Sequence, residues 1–376
     1  MKIHGADAAG VAPGVCILRL DDADEACLDA CLSSHGVADI VYKERVPGGA
    51  VRLSLTPDIV SDCCPGFDTL GLRQRIDRLA AGGSASPLEK EVLLAMLSGP
   101  LVFPYPTVGE WLAAMAIRRN IATAAAQTRL AFNTESAERP EAFFRYIEDR
   151  GFCLQPGVSL MAALEQATRP DISGALYSFS CYRATEYILL LAMATEMARS
   201  NPRLLDELTR FWQSRAIMSG EFHEVFLVEY GSIEEPLPPN YFIPGDRVWF
   251  RNPDERSADV TGYEGSWVFY LGDGEFSNFW KEGQPYTMQH KCLELFHWRH
   301  GFHLDDDGEP RMNEDEVEAR VAASLDDPDE VKAIMAAMSR HREPRGVYRD
   351  GGCIDVSREC ARRICAGTTD IVLPSV

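Results

Sequence analysis

The sequence predicts an α+β fold, and three observations carry that prediction. After a small mixed module at the N-terminus, helix-period segments run to about residue 214 and strand-period segments from 224 to 301. Glycine, asparagine, proline and aspartate punctuate the strand segments. Nothing alternates strand with helix as a parallel βαβ sheet would. With 376 residues and 46% apolar side chains, there is room for one large domain or about two to three ordinary ones with real cores.

Three zones separate by pattern. In residues 1–98, "GVCILRL", "ADIVYKE" and "AVRLSLT" read as strands and "DADEACLDACLSSHG" as a helix with an acidic start and a glycine stop. Amphipathic "LGLRQRIDRLAAGG" and "SPLEKEVLLAMLSG" follow, each closed by glycine. Together they make a small α+β module. Residues 99–305 hold all six tryptophans and open on "FPYPTVGEWLAAMAIRRNIATAAAQTRLAF", a turn and a long alanine-rich helix. "FRYIEDRGFCLQPG", a helix beginning at Cys181 and "PRLLDELTRFWQS" come next. Then the period changes to two in "EVFLVEYGS", "DRVWFRNP", "SWVFYLGDGEFSNFW" and "KCLELFHWRHG", all read as strands. Residues 306–376 form an acidic helical extension ("EDEVEARVAASL", "PDEVKAIMAAMSRH") with a tail bearing Cys353, Cys360 and Cys365. No internal repeat or low-complexity tract interrupts this order.

Charge and composition exclude several classes. A net charge of −20 argues against sequence-independent nucleic-acid binding, which needs clustered Lys and Arg. No uncharged run of membrane-spanning length occurs, and "MKIHGADAAGVAPG" lacks the basic start and apolar core of a Sec signal. Eleven cysteines, an odd number without a repeating framework, point to reduced thiols in a cytoplasmic protein. Export by a non-Sec route, as an effector acting on another cell's proteins, would leave the same sequence signs.

The chemistry concentrates in "GALYSFSCYRATEYILLLAMATEMARSNP", residues 174–202. Small and polar residues approach Cys181, and an apolar helix follows it directly. A helix N-terminus presents free N–H groups and about half a positive charge, which lowers a thiol's pKa. Thiolates attack carbonyls, so such a position suits an acyl-transfer nucleophile. The plainer reading is a core cysteine at a helix start.

Four blocks carry a resemblance: "TVGEWLAAMAIRRNIATAAA", "GALYSFSCYRATEYILLLA", "YFIPGDRVWFRNPD" and "EGSWVFYLGDGEFSNFW". In order and spacing they resemble the spore-coat type of bacterial protein-glutamine γ-glutamyltransferase, a transglutaminase with a papain-like, NlpC-type core. The likeness covers roughly residues 100 to 300. It implies that Cys181 attacks a glutamine carboxamide, releases ammonia and forms a thioester. A lysine amine then resolves it to an isopeptide bond, or water resolves it to glutamate. Two acyl transfers through one sulfur need no metal or organic cofactor.

The resemblance breaks at the partners of the cysteine. The family's glutamate before the cysteine is Ser180 here, and its partner glutamate falls at Ser266, with Glu264 two residues earlier. The family's histidine falls at Asn278 with one residue deleted and at Phe279 without. Glu264 is the first candidate for the proton acceptor, or for a residue that orients, and Asn278 for an orienting amide or oxyanion donor. The plain alternatives are a solvated loop carboxylate and a turn-capping amide.

Histidines 290, 297, 300 and 303 crowd "QHKCLELFHWRHGFH" and offer a base, a metal site or a surface strand. Read as a strand, the segment puts His297 on one face with Lys291 and Leu293. Zinc is disfavoured, because the spacing alternates faces and no second cluster closes the site. "DDDGEPRMNE" resembles a calcium loop at Asp305, Asp307, Gly308 and Glu314, but His303 occupies its first position, so a solvated turn is expected. Cys27 and Cys31 are expected to pack rather than react, and Cys63–Cys64 to stay unbridged. The expectation is a cysteine acyltransferase acting on protein glutamine, with a papain-like hydrolase as a variant. Its rival is a fold that has lost the chemistry and serves as an interaction protein.

Overall fold

The computed structural model describes residues 3–5, 13–46, 48–79, 82–131, 137–218, 220–343 and 352–374. The expected α+β class is what the chain adopts, as two main sheets wrapped by helices.

The first sheet has the spatial order His4–Gly5, Leu101–Tyr105, Gly14–Ile17, Val51–Leu55, Val41–Arg45. Three of its strands sit where the sequence predicted them, and Val51, Leu53 and Leu55 are buried with Arg52 and Ser54 between them less so, whereas Leu101–Tyr105, over the expected turn, and His4–Gly5 were not read as strands. The helix Asp22–Ser34 starts where the Asp21 carboxylate accepts the Asp24 N–H at 2.8 Å. The helix Pro87–Ser98 starts at a reciprocal cap between Ser86 and Glu89.

The second sheet runs Tyr286–Thr287, Glu275–Phe276, Gly265–Gly272, Arg247–Arg251, Arg358–Ala361, Leu227–Tyr230, with every recorded pairing antiparallel. The cysteine helix, Cys181–Ser200, packs on this sheet and against the alanine-rich helix Val108–Gln127. All residues from 184 to 194 are buried, as expected of a helix apolar on every side. A cysteine thus heads a buried helix that packs on an antiparallel sheet.

Two segments depart from the sequence reading. Residues 291–301 are not a strand but part of the helix Met288–Gly301, started by the Thr287 hydroxyl accepting from the His290 N–H at 3.1 Å. Buried Met288, Lys291, Cys292, Leu295 and Trp298 recur every three or four residues, and the buried lysine hid that period. Residues 221–226 likewise form a short helix, Glu221–Phe226, and only Leu227–Tyr230 pairs as a strand.

Hydrogen bonds cross both expected zone boundaries. Leu101–Tyr105 lies beside Gly14–Ile17 in the first sheet, and Arg358–Ala361 fills a place between Arg247–Arg251 and Leu227–Tyr230 in the second. The helices Glu314–Leu325 and Pro328–Met338 form as expected and pack on Met288–Gly301. Among the described residues, no helix is long and apolar enough to cross a membrane.

Candidate active site

Cys181 is the first residue of its helix. The Ser180 hydroxyl accepts the Arg183 N–H at 3.2 Å and so fixes the start. The thiol is half-buried and faces a cleft of about 820 Å³. Burial pushes its pKa above the ordinary value. The Trp267 N–H, the Lys291 ammonium, the Tyr182 N–H and the Arg247 guanidinium pull it down, in that order, without cancelling the burial. In the resting protein the helix N-terminus therefore does not leave a standing thiolate at neutral pH.

Trp267 sits opposite Trp249 across the strand pair, their rings stacked 5.6 Å apart at 6°. Arg247 covers both Trp267 and Tyr182, with its guanidinium 3.8 and 4.5 Å from their ring centroids. Its Nε donates to Thr185 Oγ1 at 2.7 Å, and a terminal nitrogen pairs with Glu359 of the C-terminal strand. Glu359 also meets His223 Nε2 at 2.6 Å. One arginine thus ties the cysteine helix to the strand beside it.

The cleft brings Cys181, Glu264 and Asn278 together. Glu264 is exposed in the turn before the strand Gly265–Gly272, and among the described residues its carboxylate accepts no hydrogen bond. Asn278 is buried and committed to its own loop. Its Nδ2 donates to the Gln284 carbonyl at 2.8 Å, and its Oδ1 accepts the Trp280 and Lys281 N–H groups at 3.1 and 3.3 Å. Ser266 and Ser180, at the family's glutamate positions, line the same cleft.

Of the four clustered histidines only His290 lines the cleft. His297 lies with Nδ1 2.9 Å from that of His300 and Nε2 2.7 Å from Ser324 Oγ. Burial and its neighbour His300 hold its pKa down at about 4. Among the described residues no group of three His, Cys, Asp or Glu could hold a metal. Asp305 spends its carboxylate on the Asp307 and Glu309 N–H groups and on Arg311, as a closed turn. All eleven cysteines are free thiols, Cys63 and Cys64 among them, and Cys31 is buried while Cys27 is exposed.

Three cleft residues were not singled out from the sequence. Lys291 Nζ meets Glu294 Oε2 at 2.6 Å and lies 3.9 Å from the centroid of the Tyr286 ring. The Tyr286 hydroxyl donates to Glu294 Oε1 at 3.1 Å. Helical period across residues 288–301, with Thr287 as cap, is the signal that places Lys291 and Glu294 one turn apart, while Tyr286 reaches them from the strand just before the helix.

The model of one family, protein-glutamine gamma-glutamyltransferase, matches residues 73–353. Among solved structures the chain is similar to "Transglutaminase from Geobacillus stearothermophilus (without C-terminal extension)", at 17% identity and a TM-score of 0.36, over 58% of this chain and 98% of that one. No curated protein matches. With three quarters of its length matched, the chain belongs to the protein-glutamine gamma-glutamyltransferase family.

Proposed function

We propose that this chain transfers the γ-glutamyl group of protein-bound glutamine through a thioester on Cys181. The observation that carries the reading is a thiol at a helix start, open to a cleft, with two backbone N–H groups bearing on it. The sulfur attacks the carboxamide carbon, and the Trp267 and Tyr182 N–H groups, which already bear on the thiol, are assigned to the oxygen that becomes negative. Ammonia leaves with a proton, and a primary amine or water then displaces the sulfur. Glu264, at the exposed mouth, takes the proton of that second nucleophile. Asn278 holds the 278–286 loop and keeps one amide hydrogen for substrate. The eleven free thiols fit a reducing compartment, whether the protein stays in the cytoplasm or leaves by a non-Sec route.

Replacing Cys181 by alanine removes both ammonia release and amine incorporation if the reading holds; undiminished turnover ends it. Ser180 and Ser266 favour one competing reading, an interaction protein that keeps the fold without the chemistry. A purified wild-type chain that releases no ammonia from any glutamine-bearing protein offered would support it.

A further inference from the structure

We propose that the ion pair of buried Lys291 with half-buried Glu294 handles the thiol proton of Cys181: Glu294 accepts it, and Lys291 turns from the carboxylate to the thiolate as counter-ion. This rests on the acyl-transfer reading and supplies the proton acceptor that Ser180 and Ser266 lack.

The pair is unusual for its place. Lys291 is 2% exposed, and lysine is almost never so buried unless it is paired. A buried ion pair is on average no more stabilising than apolar side chains of the same volume. One that lines the cleft of a nucleophile therefore points to chemistry. The Tyr286 hydroxyl fixes the Glu294 oxygen that Lys291 does not hold, and Tyr286, Lys291 and Glu294 all share the cleft with Cys181.

The other charged groups of the cleft are committed or exposed. Arg183 is paired with Glu186, Lys281 with Glu318, and Glu314 with the Tyr263 hydroxyl. Arg139 lies 3.8 Å over the Phe179 ring. Glu264 and His290 are exposed at the rim. Behind the cysteine, Arg247 is held by Glu359 and Thr185.

The step balances. The Cys181 S–H bond breaks and its proton goes to Glu294, while Lys291 stays an ammonium throughout. One anion, carboxylate, becomes one anion, thiolate, so no net charge is added to the site. The S–C bond then forms at the glutamine carboxamide. As the C–N bond breaks, Glu294 returns the proton to the departing amide nitrogen, which leaves as ammonia.

The test uses the full chain and reads iodoacetamide alkylation of Cys181 against pH, together with ammonia release from a glutamine-bearing peptide. Lys291→Met raises the alkylation midpoint by about one pH unit, because the counter-ion is gone. Glu294→Gln moves the midpoint down, because Lys291 loses its competing partner, yet cuts ammonia release about 10²–10⁴-fold. Lys43→Met, a charge change in the first sheet, moves neither. A charge pair that merely stands near Cys181 would give the same opposite shifts but leave ammonia release by Glu294→Gln intact. If Lys291→Met does not fold, the downward shift in Glu294→Gln together with its lost ammonia release decides. Midpoints unchanged in the folded variants, or full ammonia release by Glu294→Gln, overturn the proposal. Shifted midpoints in a protein whose wild type releases no ammonia leave the pairing standing and sink only the acyl-transfer reading.

Discussion

The Arg247 guanidinium lies 3.8 Å from the centroid of the Trp267 ring and pairs at its other end with Glu359, joining the strand beside Cys181 to the C-terminal strand. Both partners are buried. Arg247→Met leaves the Glu359 carboxylate without its guanidinium, and the expected loss is about 3 kcal/mol in urea unfolding. Arg247→Lys restores charge but not the planar stack, so its activity stays reduced after stability is corrected for. Full activity in Arg247→Lys would contradict this positioning role.

Burial holds the Cys181 thiol above its ordinary value, so the native protein carries little thiolate at neutral pH. Alkylation of Cys181 therefore climbs about tenfold per pH unit through neutrality and levels off only in the alkaline range. In the denatured chain the same cysteine levels off earlier. A flat rate between pH 6 and 9 in the native protein would show a preformed thiolate instead.

His297 gives stability an acid-side slope. Its folded pKa is about 4, below the ordinary 6.5, so between those values the unfolded chain binds the extra proton. Stability is complete above the unfolded value and falls as pH drops toward the folded one, by about 1–3 kcal/mol. Thermal melts between pH 7 and 4 should show that slope, and His297→Gln should flatten it.

The exposed Glu264 carboxylate acts on the second nucleophile in this account. Glu264→Gln slows amine incorporation by about 10²-fold while leaving the first release of ammonia intact. Pre-steady-state ammonia measurements check this, and a lost first release would move Glu264 into the earlier step.

The cysteine helix was legible because its signals agree: a serine cap, a thiol at the first turn and an apolar run with no solvent face. Glu264 and Asn278 came into view only through the resemblance, yet both line the cleft. What stayed hidden is buried charge. Lys291 breaks the apolar period of its helix, so residues 291–301 read as a strand. Arg358 and Glu359 made the strand Arg358–Ala361 look like a polar tail, although both are buried in the sheet, Glu359 on Arg247 and Arg358 on backbone carbonyls. Hydropathy counts such residues as surface, because it scores each side chain without the partner that compensates its burial, near in sequence for Lys291 and Arg358 and distant for Glu359.

The most direct test is to mix the protein with a glutamine-bearing peptide, omit any amine, quench in acid and map the adducts by mass spectrometry. The account predicts the peptide, less ammonia, on Cys181 and on no other cysteine. An unmodified Cys181 in protein that is releasing ammonia, or an adduct on a different thiol, would contradict it.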